Sequence, residues 1–327
     1  IPAFIVVLAV DEALRCCLLT YLMRYVYAFV RAGAIVGAGA LGTTLARALV
    51  ANGYAVEAVL SRTAASAEAL ADRVGAPVAD TAYAALPDAV RWVFVCVPDD
   101  AIAGAAKTLA AVRHPWADTT VAHTSGAVPA QALAPLDARG AALLGFHPLQ
   151  TFPEGASPAA FADIVVGLDG DSAAVEAGAA VARRLGARPV RLAAADKARY
   201  HAAAALASNG LVALMAAVEA VLPTARTDAA PPTREWVAPL LRQTLHNVLH
   251  RGPHGALSGP VARGDEGTIH KHLEVLQDEC PDQHPVYTAL SAELVRVAVG
   301  SGALSEAQGE RLAASFRHAD DALEPST

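Results

Sequence analysis

The stretch Ala34-Ile35-Val36-Gly37-Ala38-Gly39-Ala40-Leu41-Gly42 limits what this 327-residue chain can fold into more than any other. A short apolar run rich in β-branched residues meets three glycines spaced G-x-G-x-x-G. A helical pattern follows, with apolar residues at Leu41, Leu45, Ala48 and Leu49. This is the order of a strand–turn–helix unit that cradles a dinucleotide. Gly37 permits the tight turn, Gly39 lets a pyrophosphate approach the backbone, and Gly42 lets helix and strand pack closely. The phosphates would meet free N–H groups at the positive end of the helix dipole. Gly37, Ala38, Gly39, Ala40, Leu41 and Gly42 are therefore the expected cofactor loop. The alternative is a tight turn that binds nothing.

The next strand reads as Ala55 to Leu60, after an Asn52-Gly53 helix end, and is followed by Ser61-Arg62-Thr63. An NAD site usually places an Asp or Glu here to hold the ribose hydroxyls. Arg62 instead offers a fork to a 2′-phosphate, with hydroxyls from Ser61 and Thr63. NADP(H) is thus expected over NAD, the alternative for Arg62 being a solvated surface side chain. The run Trp92 to Val97 reads as a strand buried on both faces. Val97 and Pro98 at its end would lie beside the cofactor, with Asp99 or Asp100 as the next N-cap. Further strands are expected at Thr119–Ala122, Ala141–Phe146, Phe161–Leu168 and Arg188–Leu192, with helices at Thr63–Val74 and Asp171–Leu185.

From Asp196 strand signals stop and long Ala/Leu/Val helical periodicity takes over. Asp196 to Val221 reads as one helix, roughly 40 Å long. Helices are also expected at Thr233–His250, Asp265–Gln277, Pro285–Val299 and Ser305–Leu323, with a proline-bearing loop from Leu222 to Pro232. The expected fold is an α/β Rossmann domain with a doubly wound, mostly parallel sheet over 23–193, followed by an all-α domain over 194–327. Residues 1–22 read as an extension upstream of a natural start near Met23.

Composition narrows the function. Hydrophobic residues make up 54% and charged residues 17%, which fits a buried core rather than disorder. Formal charge is −7 with no basic stripe, so nucleic acid is not an expected partner. The four cysteines show neither metal spacing nor disulfide density, which points to a reducing cytoplasm. The N-terminus is apolar from Ile1 to Val10 but is interrupted by Asp11, Glu12 and Arg15. No uninterrupted 18-residue apolar run exists, so neither a transmembrane helix nor a membrane partner is expected. Short alanine side chains permit close helix approach, and a homodimer through the C-terminal helices is expected.

These residues resemble a known group. A Rossmann domain followed by an all-helical domain is similar to the superfamily of ketopantoate reductase, pyrroline-5-carboxylate reductase and 6-phosphogluconate dehydrogenase. Val97-Pro98-Asp99-Asp100-Ala101-Ile102, His123-Thr124-Ser125-Gly126, Phe146 to Phe152, Lys197-Ala198-Arg199-Tyr200-His201 with Ser208-Asn209, and Ser258 to Asp265 resemble a bacterial family more closely. Its members are Rossmann-like NADP oxidoreductases with a C-terminal domain of unknown function. The resemblance runs from about 33 to 320. It implies NADP chemistry but no particular substrate. Position 201, His201 here, departs from the Lys and Asn four residues apart found in 3-hydroxyacid dehydrogenases.

Hydride transfer needs a group that handles a proton. Lys197, His201 and Ser208 stand at i, i+4 and i+11 of the expected helix, within roughly 40° of one another. They and Ser125, which follows a strand end, are the candidate catalytic residues, with Lys197 as proton donor, its pKa lowered by burial. The alternatives are a solvated Lys197, a structural His201 and a simple turn at Ser125. His123, His147 and Asn209 are weaker candidates. Asp265 is better explained as an N-cap. His246 and His250 have a metal-compatible spacing without a third ligand, so no metal is expected. The reading is an NADP(H)-dependent oxidoreductase acting on a small carbonyl, imine or hydroxy acid bound between the two domains. The alternatives are an NADP-binding sensor without turnover and a deazaflavin-dependent reductase.

Overall fold

The computed structural model describes residues 33–222 and 233–321; the stretch 1–22 and nearly all of the 222–232 loop lie outside them. The strands are β1 (Gly33–Val36), β2 (Val56–Leu60), β3 (Val78–Asp80), β4 (Trp92–Val95), β5 (Thr120–His123), β6 (Ala142–Pro148), β7 (Val165–Gly170) and β8 (Arg188–Arg191). They form one eight-stranded sheet in the order β3-β2-β1-β4-β5-β6-β7-β8. All neighbours are parallel except β6 and β7. The β6–β7 connection carries only a 3₁₀ turn, Pro158–Phe161, and no crossover helix, so the chain returns antiparallel. The expected strand at 161–168 therefore starts later, and Phe161 packs from that turn.

The helices α1 (Ala40–Ala51), α2 (Ala64–Val74), α3 (Asp99–Ala110) and α4 (Ser172–Arg184) cover the sheet. Strand residues alternate between two cores. Ile35, Trp92 and Phe94 join one; Ala34, Val93 and Val95 join the other. Burial on both faces is why these strands read as continuous apolar runs. β3 was not expected: it is three residues long and only half-buried. At α3, Pro98 occupies the N-cap, and Asp99 and Asp100 lie in the first turn without a side-chain cap. The aspartates thus act on the helix dipole rather than as caps.

A long helix, α5 (Lys197–Val221), follows β8, and the division into two compact units falls inside it, between Ala205 and Leu206. The second unit contains α6 (Thr233–Ala256), α7 (Glu266–Glu279), α8 (His284–Gly300) and α9 (Glu306–Asp321). Asp265 caps α7, accepting the Thr268 N–H at 3.0 Å. α6 outruns its expected end, but Gly252 (φ 69°, ψ 170°) breaks the helical path ahead of Pro253. A compact core forms from Val261, Ile269, Leu273, Val295, Leu312 and Phe316. By contrast, Leu206, Val212, Leu240 and Leu249 are 76, 68, 67 and 73% exposed. Among the described residues, Ala194–Val221 is long and apolar enough to cross a membrane. An expectation based on uninterrupted apolar runs passes over this helix, because Lys197, Arg199, His201, Ser208 and Asn209 interrupt it while its mean hydropathy stays high.

Candidate functional site

The three loop glycines differ in what requires them. Gly37 has φ +105°, and a Cβ there would overlap the Cys96 carbonyl oxygen. A Cβ on Gly42, in the first turn of α1, would overlap the Gly37 carbonyl oxygen. Gly39 is under neither constraint. Its φ of −73° and ψ of −176° suit any residue, and among the described residues no atom lies within 4 Å of an added Cβ. Gly39 is also the N-cap of α1, with no side-chain cap on the helix. The protein leaves this helix start bare.

A cleft of about 1370 Å³ opens there, lined by Gly37, Ala38, Gly39, Ser61, Arg62 and Thr63, together with Val97 and Pro98. Ala40 borders an adjoining pocket of about 330 Å³. Leu41 packs against the sheet core instead of lining the cleft. Ser61 is buried and Arg62 is exposed at the cleft wall, with no ion-pair partner among the described residues. The Thr63 hydroxyl is already engaged as the N-cap of α2: it donates to Ser66 Oγ (2.8 Å) and accepts the Ser66 N–H (3.4 Å). The far wall, Thr81 to Tyr83, follows the unexpected strand β3 and was missed with it. Burial pushes the Cys96 thiol up to about 12, which makes it inert.

A second polar group gathers at the ends of β5, β6 and β7. Lys197 is 0% exposed; its ammonium pairs with Asp169 Oδ1 at 2.6 Å and donates to the Ser125 carbonyl at 3.1 Å. Asp169 Oδ2 accepts the Ala130 N–H at 2.8 Å. Two of the three Lys197 donors are thus committed to the protein, and Lys197 is neither the solvated first-turn residue nor the cleft-facing donor that helix spacing suggests. Ser125 Oγ accepts the N–H groups of Ala127 and Val128 (3.2 and 3.0 Å), which closes the turn and leaves only its own proton to donate. His147 Nδ1 lies 2.9 Å from the Tyr200 hydroxyl. His201 is exposed, with its ring 6.0 Å from that of His147. Ser208 is half-buried on the part of α5 that belongs to the second unit. Of the four candidates, Lys197, Ser125 and His201 are brought together within the first unit.

Burial, then the Lys197 charge, hold both His123 and His147 down to about 4, so both are neutral at pH 7. His123 Nδ1 accepts the Ser125 N–H at 3.2 Å, and its buried Nε2 meets no side-chain partner among the described residues. Sequence reading missed Asp169. The available signal was a lone carboxylate inside a strand otherwise buried on both faces.

A strand–glycine–helix loop at the carboxyl edge of a mostly parallel sheet defines a Rossmann-type dinucleotide-binding unit. Residues 27–148 match a Rossmann-like domain, and residues 164–294 match a domain of unknown function, DUF2520. In this order of domains the chain resembles Rossmann-like proteins that carry a C-terminal DUF2520 domain. The DUF2520 match begins at β7, so part of it is built into the sheet. Among solved structures, a candidate NADP oxidoreductase from Bacteroides fragilis is 26% identical, with TM-score 0.66, covering 81% of this chain and 97% of that one. The Thermotoga maritima protein TM1727 is 23% identical, with TM-score 0.64, covering 82% and 98%. A reductive aminase from Aspergillus terreus, in complex with NADPH and ethyl-5-oxohexanoate, is 22% identical, with TM-score 0.54, covering 90% and 94%. The curated proteins contain no match.

Proposed function

We propose that this protein is an NADP(H)-dependent oxidoreductase that moves a hydride to or from a small carbonyl, imine or hydroxy acid. The observation that carries this reading is Gly39. Backbone geometry does not demand a glycine there, nor does any neighbour among the described residues, and at the start of α1 the missing side chain leaves room for a ligand. A pyrophosphate on the bare start of α1 supplies that reason. The cofactor fits the residues present: the glycine loop would hold the pyrophosphate, and Arg62 would fork onto a 2′-phosphate. When bound, the cofactor supplies the hydride. The Bacteroides fragilis and Aspergillus terreus structures support the reading by their NADP descriptions, and the reductive aminase brings imines into the substrate class.

Arg62 tests the cofactor. A charge-assisted hydrogen bond contributes about 1.5–3 kcal/mol, or roughly 10–100-fold in affinity. Arg62→Ala should weaken NADPH binding by that factor in fluorescence titration and leave NADH nearly unchanged. Equal loss for both would remove the 2′-phosphate role.

The second unit supports self-association. Leu206 and Val212 on α5, and Leu240 and Leu249 on α6, are large apolar side chains left exposed to water. We assign these helices to a homodimer, which light scattering at micromolar concentration would show; a monomer would count against it.

A further inference from the structure

The antiparallel β6–β7 pair sets two rows of opposed residues on one face. Gly145 stands opposite Asp169, and two residues along each strand His147 stands opposite Gly167. Each row holds one glycine and one polar side chain, and each receives one side chain from the first turn of α5. Lys197 enters the first row. A Cβ on Gly145 would overlap Asp169 Oδ1 and come within 2.9 Å of Lys197 Nζ. Tyr200 enters the second row. A Cβ on Gly167 would lie 3.1 Å from the Tyr200 hydroxyl, the same atom that bonds His147 Nδ1. A third glycine clears the other side of the imidazole. A Cβ on Gly126 would lie 2.8 Å from His147 Nε2 and 2.7 Å from His201 Nδ1. The spacing i, i+3 on the helix matches the spacing i, i+2 on the strands, so α5 is fastened at Lys197 and delivers Tyr200 to His147.

We propose that Lys197 and Asp169 are positioning residues, and that the group presented to a bound carbonyl or imine is His147, its ring held by Tyr200. This rests on the oxidoreductase reading above. In the proposed arrangement the Tyr200 hydroxyl, 2.9 Å from Nδ1, is the donor, which leaves the imidazole proton on Nε2, beside Gly126. As hydride reaches the carbon of a C=O or C=N group, the π electron pair moves onto the heteroatom. His147 Nε2–H donates a hydrogen bond to that atom, and the proton that neutralises it comes from solvent, to which His201 is open. A neutral imidazole suits this task because it polarises without adding charge. The groups that face His147 are Lys197, His201 and His123, which disfavour its protonation, Asp99, which favours it, and the Tyr200 hydroxyl. The buried Lys197 charge therefore does more than fasten a helix: it helps keep His147 neutral.

The test is nitrogen-15 NMR of the histidine rings in the full chain, with and without NADP⁺, using His147→Gln to assign the signal. The expected wild-type result is the Nε2–H tautomer, unprotonated from pH 8 down to 5. Tyr200→Phe should shift that tautomer balance and leave NADPH affinity within about threefold. The double variant Lys197→Met, Asp169→Leu separates structure from charge, because an apolar swap of a buried pair can restore stability. It should fold, yet the His147 midpoint should rise. A protonated His147 at pH 6.5, an Nδ1–H tautomer, or unchanged ring nitrogens in Tyr200→Phe would each overturn the proposal. If the double variant does not fold, Tyr200→Phe alone decides. An NADPH titration on the same samples reads the cofactor assignment separately: no binding sinks that reading, whereas normal binding with an unaltered His147 signal in Tyr200→Phe sinks this one.

Discussion

The cleft at the start of α1 and the histidine cluster both depend on glycines, for opposite reasons. At the cleft, Gly39 is open, with no protein atom near the missing Cβ among the described residues. At the cluster, Gly126, Gly145 and Gly167 are filled: His147, His201, Asp169, Lys197 and Tyr200 occupy the space their side chains would need. On the function proposed above, the open glycine makes room for a ligand, whereas the filled ones make room for the protein's own polar groups. Substitution at the first should therefore cost binding, and at the second, folding and side-chain placement.

Gly145→Ala should have the largest effect. The new methyl displaces Asp169 from Lys197, and breaking a buried pair from one side costs about 3–5 kcal/mol. Chemical denaturation should show a loss of that size, large against a typical total stability of about 5–15 kcal/mol. A loss below about 1 kcal/mol would mean that the strands shift without separating the pair. Gly39→Val reverses the pattern. The variant should fold with an unchanged circular dichroism spectrum and lose roughly 100-fold or more in NADPH affinity, about 2.7 kcal/mol. A folded variant that binds NADPH normally would end the contrast between open and filled glycines.

The contrast also explains what the sequence shows and what it hides. The cleft is local: Gly37, Gly39, Gly42 and Arg62 lie within one strand–helix–strand passage, and the role proposed for each rests on its own backbone or side chain. Periodicity and spacing reach that far. The cluster is assembled by tertiary pairing. Asp169 meets Lys197 across 28 residues, at a position that the antiparallel β6–β7 register sets opposite Gly145. Nothing in the strand pattern announces that reversal. Helix spacing placed Lys197, His201 and Ser208 on one arc, but the surroundings change along α5. Lys197 is buried, His201 is exposed, and Ser208 belongs to the second unit. Gly145 and Gly167 read as ordinary strand glycines until their opposed partners are known. The second unit shows the same limit. Its helices were visible as periodicity, but which of their apolar faces close a core and which stay exposed was not.

The smallest expected effect falls at the rim of the cleft, where the two kinds of role meet in adjacent residues. Arg62 is exposed at the cleft wall without an ion-pair partner among the described residues, whereas Thr63 is spent on capping α2. Both were expected to contact the cofactor, yet their hydrogen-bonding capacity is not equally available. The Thr63 hydroxyl has one proton, and Ser66 Oγ takes it. To serve a phosphate it would have to give up the cap. Thr63→Ala should therefore cost about 1 kcal/mol of stability, the usual value of an N-cap threonine. NADPH affinity should stay within about twofold, a change of under 0.5 kcal/mol. Thermal unfolding and fluorescence titration on one preparation measure both. If affinity instead falls tenfold while stability holds, the hydroxyl turns to the ligand on binding, and the line between residues that serve the fold and residues that serve the cofactor moves one position along the chain.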